Sequence, residues 1–93
     1  LMDRSPSQDL IRQIRQLAEA VPQVELVEKC FVRKMGYHLY VDMHVHVDPE
    51  MTVARSHQIA HEVKNAICNR IPTVRDVLVH IEPAQPRSEH VQT

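Results

Sequence analysis

Seven histidines in a chain of 93 residues are its most evident chemical resource. A neutral imidazole is the commonest side-chain metal ligand, and it changes charge within the physiological pH range. Position decides what each one can do. His44 and His80 fall in runs that alternate apolar and polar residues, each on the polar side. His57 and His61 stand four apart, a spacing that puts both on one side of a helix. At about 100° per residue they lie on the flank of that helix's apolar stripe, so they can face something other than the core. The run His57-Gln58-Ile59-Ala60-His61 has the two-histidine spacing of a zinc-protease helix. Gln58, however, stands where that chemistry requires a glutamate base. No Ser-His-Asp or Cys-His arrangement can be read, and a single glycine excludes a phosphate-cradling loop. Spacing alone leaves two readings open, metal ligation and ordinary solvated surface. The second is the expectation for His38, His46 and His90.

These side chains need elements to hold them. Ser5, Pro6 and Gln8 form a helix-start pattern with Ser5 as the cap, and Leu10, Ile11, Ile14, Leu17, Ala18 and Val21 recur at helical spacing until Pro22. A first helix is therefore predicted over about residues 6 to 20. From Val24 to Lys34, Val24, Leu26, Cys30 and Val32 fall on one side at period two, although Val27 and Phe31 blur the alternation. This predicts a strand, followed by a turn at Gly36. Next, Tyr37, Leu39, Val41, Met43, Val45 and Val47 alternate with His38, Tyr40, Asp42, His44, His46 and Asp48, the mark of a half-buried strand. Asp48 and Pro49 close it, and Thr52 can cap a second helix. Val53, Ile59, Ala60, Val63 and Ile67 form that helix's predicted buried stripe, which Pro72 stops. A third strand is predicted from Val77 to Glu82. The order α-β-β-α-β predicts an α+β open sandwich, two helices on one face of a three-stranded mixed sheet, in one domain over residues 1–83. Residues 84–93 are expected to be a flexible tail.

Composition narrows the function. Aromatics make up only 3% of the chain, so the core must be aliphatic, and a small aliphatic core predicts dimerisation as a source of added stability. A net charge of −1 with interspersed signs gives no general attraction to nucleic acid or to anionic membrane. Cys30 and Cys68 lack any CxxC spacing, which argues against a disulfide framework or a cysteine zinc site and fits a reducing compartment. No apolar run approaches the roughly 20 residues that span a bilayer. The start at Leu1-Met2 suggests a fragment boundary. Nothing here favours an enzyme.

Three segments in order resemble the C-terminal cytoplasmic domain of the cation diffusion facilitators, a family of divalent-metal transporters. They are Tyr40 to Pro49 (YVDMHVHVDP), His57 to Val63 (HQIAHEV) and Val77 to Pro83 (VLVHIEP). The resemblance extends through Val24 and the turn Arg33-Lys34-Met35-Gly36, covering about residues 6 to 83. It implies a metallochaperone-like α+β domain on the cytoplasmic side of a membrane, joined to the transporter's transmembrane domain and paired with its twin as a homodimer. Zinc-exporting members bind metal near the dimer interface. The matching positions here are His44, His57, His80 and Glu82. Glu28 takes the place of a further histidine on the first strand, and Glu82 replaces an aspartate. His61 is a further candidate, with Asp42 and His46 in reserve on the His44 face. Zinc is the ion the resemblance implies, and because more carboxylate moves such a site toward harder ions, manganese, iron, cobalt and nickel stay open.

The resemblance implies a sensor in which metal draws two domains together, loaded less well as acid protonates the histidines. A dimerisation module without metal and a freestanding metal carrier are the alternatives. An RNA-binding domain would need the basic patch and GXXG loop that are missing here.

Overall fold

The second strand lies at the centre of the molecule because its inward face carries nothing but aliphatic side chains. In the computed structural model, which describes residues 6–86, the order is α1 (Pro6–Glu19), β1 (Leu26–Met35), β2 (His38–Val47), α2 (Val53–Arg70) and β3 (Val74–Pro83). The sheet order is β1-β2-β3. β1 runs antiparallel and β3 parallel to β2, so the sheet is mixed as expected. Val41, Met43, Val45 and Val47 of β2 pack with Val27, Val74 and Val77 against Ile14 and Ala18 of α1 and Ile59, Val63 and Ile67 of α2. Both helices thus cover one face, and the opposite face bears no helix. None of the described helices is long and apolar enough to cross a membrane.

Local chemistry accounts for the element ends. Thr52 accepts a hydrogen bond from the Arg55 backbone N–H at 3.0 Å, capping α2. At its other end the Ile71 N–H reaches the Ile67 carbonyl, and Pro72 follows, as a residue that cannot continue a helix. Gly36 turns the β1–β2 hairpin at φ +63°, a backbone region that L-residues rarely adopt.

Several expectations are corrected. β1 begins at Leu26, not Val24, and its two halves present opposite registers. Val27 is buried and Leu26 is turned outward, whereas beyond Lys29 it is Cys30 and Val32 that pack inward and Phe31 that is exposed. The cause is a bulge: Glu28 pairs with His44 but Phe31 pairs with Asp42, leaving one extra residue on β1, with Lys29 at φ 52°. Tyr37 belongs to the turn and is 92% exposed rather than part of the inner face. Val53, at the first position of α2, is exposed instead of buried. β3 is longer than predicted, and Ala84, assigned above to the tail, donates to the Val47 carbonyl at 2.8 Å. Ser5, His90 and residues 87–93 lie outside the described residues.

Candidate metal centre

Register brings the donors together on the face without helices. In a sheet, residues paired across strands share a face. His44 pairs with Glu28 of β1 and His80 of β3, and His46 pairs with Leu26 of β1 and Glu82 of β3. Glu28, His44, His46, His80 and Glu82 therefore form one continuous patch. The bulge is essential to it. Were Lys29 to take a regular place in the ladder instead of bulging, the register before it would invert, turning Glu28 toward the core and Val27 toward solvent.

Within the patch, the His44 and His80 rings stack with centroids 4.6 Å apart. His44 Nδ1 is hydrogen-bonded to Glu82 Oε2. That bond is the main reason the Glu82 carboxyl is held below the usual carboxylate range, with smaller help from the charges of His44, His46 and Lys29. Glu82's other oxygen lies 3.8 Å from His46 Nε2, which is 2.8 Å from Glu28 Oε1. Glu82 thus links His44 and His46 of β2. Donor atoms of Glu28, His46 and Glu82 all lie within 4.8 Å of one another.

His46 departs furthest from expectation. Spacing favours a solvated residue there, and the resemblance holds it only as a reserve ligand, yet it is 7% exposed, the one polar side chain found in the buried set among the described residues. Its signal in the sequence was its place between Val45 and Val47, on the same face as His44. What the sequence could not show was that Leu26, Glu28 and Glu82 crowd around it. His38 does remain exposed, and Asp42, two positions along the same face, stands outside the three-donor cluster.

His57 and His61 form a separate pair. Both are exposed on α2, with Nε2 atoms 3.1 Å apart and rings edge to face. They contact each other rather than the histidines of the sheet. A groove lined by Lys64, Asp76, Leu78 and Val79 runs beside them along the β3 edge. The six candidate ligands therefore divide in one protomer, with Glu28, His44, His80 and Glu82 on the sheet and His57 and His61 on the helix. The sheet donors suit a divalent ion chemically, since imidazole nitrogen serves first-row transition ions and two carboxylates balance a 2+ charge.

This architecture defines a metallochaperone-like α+β domain. Residues 6–84 match the family model described as the cytoplasmic domain of cation efflux proteins. Among relatives, the manganese efflux system protein MneP of Bacillus subtilis (strain 168) is 28% identical over 83 residues, covering 89% of this chain and 28% of MneP. The magnetosome protein MamM of Magnetospirillum gryphiswaldense is 34% identical over 82 residues, covering 88% of this chain and 26% of MamM. A MamM C-terminal domain variant solved in its cadmium form superposes with a TM-score of 0.83 at 32% identity, covering 87% of this chain and all of that one. The chain spans little more than a quarter of these two relatives' lengths. It belongs to the cytoplasmic-domain family of the cation diffusion facilitators.

Proposed function

We propose that this domain pairs with a second copy of itself and binds divalent cations to control transport by the membrane part of a cation efflux protein. The observation that carries the reading is the patch of Glu28, His44, His46, His80 and Glu82 on a sheet face that no helix covers. His44 and His80 would present imidazole nitrogen to the ion, and Glu28 and Glu82 would balance its charge. His57 and His61 would serve from the partner, because each domain holds them apart from its own sheet donors. A site divided between two copies is complete only when they approach. Metal then favours the closed pair, since an ion shifts an equilibrium only by its difference in affinity between the two states. Zinc is the ion that the resemblance implies, and the carboxylates widen the range to manganese, iron, cobalt and nickel.

A second reading, a structural dimerisation module without metal, draws on the exposed Leu26, Phe31, Met35 and Leu78 that share the same sheet face. Calorimetric titration of the metal-stripped chain with zinc and with manganese separates the two. The regulatory reading expects saturable binding that weakens when His44 and His80 are both replaced by alanine. No binding at high micromolar metal would leave the structural module.

A further inference from the structure

We infer that His46, with Glu28 and Glu82, forms a cation seat contained within a single protomer, with its imidazole as the buried anchor. This deepens the reading above and rests on it, but it moves the first point of metal capture from the dimer contact to the inside of one sheet.

Geometry carries the case. With metal–ligand bonds of about 2.1 Å, neighbouring donors stand roughly 3.0 Å apart in an octahedral shell and roughly 3.4 Å apart in a tetrahedral one. The separations from His46 Nε2, 2.8 Å to Glu28 and 3.8 Å to Glu82, bracket those values. The Glu28 and Glu82 donors stand within 4.8 Å of each other, a gap that their half-exposed carboxylate arms can close around an ion. Each donor comes from a different strand, so the sheet ladder spaces all three and no loop has to close. The burial is graded. The His46 side chain is 9% exposed, whereas those of Glu28 and Glu82 are 48% and 39% exposed. The imidazole is thus a fixed floor and the carboxylates form a rim through which an ion can enter.

Charge points the same way. Two carboxylates held around one imidazole repel each other, and a divalent cation offsets both charges. One nitrogen and two carboxylate oxygens, with the rim open to water, suit a borderline-to-hard first-row ion such as Mn2+, Fe2+ or Co2+ better than a thiophilic one. The occupant proposed is therefore a divalent cation of that class, held with water in its remaining positions. Two protomers would each load independently, before any change in how they pair.

Mn2+ is the direct probe, because the free ion's paramagnetic resonance signal is lost on binding. The chain is titrated as wild type and as the His46→Gln, Glu28→Gln, Glu82→Gln and Asp76→Asn variants, with circular dichroism to follow folding. His46→Gln and each Glu→Gln change should weaken Mn2+ binding at least tenfold, and Asp76→Asn, which removes a carboxylate away from the seat, should leave this binding within about twofold of wild type. Wild-type affinity in folded His46→Gln would overturn the seat while leaving metal regulation through His44 and His80 standing. If His46→Gln does not fold, the rim variants decide, and wild-type affinity in both overturns the seat. A comparable loss in Asp76→Asn would also overturn it, because binding would then follow surface charge rather than this seat. No Mn2+ or Zn2+ binding by the wild type would end both this inference and the regulatory reading.

Discussion

Single side chains in this domain divide between those that hold the sheet and those that hold charge. Asp76 of β3 and Lys64 of α2 meet at 2.9 Å. The Lys64 hydrogen bond holds the Asp76 carboxyl below its ordinary value, and Asp76 in turn raises Lys64. A depressed acid contributes stability that is present above its unfolded value and is lost as pH falls through the folded one. Asp76→Asn should therefore lower the urea midpoint slightly at about pH 7, and the difference from wild type should vanish near pH 2; a difference that persists in acid would show that the ion pair is not its source. Gly36 makes a different kind of contribution. A Cβ there would meet nothing within 4 Å, so Gly36→Ala should cost about 1 kcal/mol through its φ of +63° alone, measurable by chemical denaturation. The types and faces of His44, His80 and Glu82 were legible from alternation and from the family resemblance. The burial of His46 was not, because it arises from neighbours on two other strands that local periodicity cannot see.

At the scale of elements, one bulge joins fold to site. The runs flanking Lys29 each alternate correctly, but they are out of phase, which is why Val27 and Phe31 blurred the predicted pattern. An inserted residue leaves a sequence signature that looks like noise until strand partners are known. Deleting Lys29 should close the bulge into one regular register that keeps Glu28 opposite His44 and Val27 inward, so the variant should fold and still bind Mn2+. A folded deletion variant that loses Mn2+ binding would show that the site needs the extra residue itself rather than the outward face of Glu28. The helices were read more accurately because their stripes are one-sided and bounded by Pro22 and Pro72. Val53, the first residue of α2, is 85% exposed, so the buried stripe begins only further along the helix at Ile59. Ile59, fully buried between α2 and the sheet, carries the opposite expectation, and Ile59→Ala should destabilise the domain by about 2–5 kcal/mol in equilibrium unfolding. A much smaller loss would mean that α2 packs more loosely than the core cluster indicates.

For the molecule as a whole, the two helices use one face of the sheet for stability and leave the other for recognition. That separation lets the outer face carry charge and exposed apolar residues together without weakening the core. On the proposed reading, the exposed Leu26, Phe31, Met35 and Leu78 would offer area to a second copy, while Glu28, His46 and Glu82 would offer an ion a place between them. The fold and its order were legible in full from alternating strands and capped helices. How two copies meet was not, since pairing depends on a surface rather than on any local pattern. The central claim is that metal bound on this face changes how two copies pair. Small-angle scattering of the metal-stripped chain during titration with Zn2+ or Mn2+ tests it most directly. A dimer whose radius of gyration falls as metal saturates, with no fall in a chain carrying His44→Ala and His80→Ala, is the predicted result. Saturable binding with an unchanged scattering profile would contradict it, leaving a domain that holds metal without responding to it.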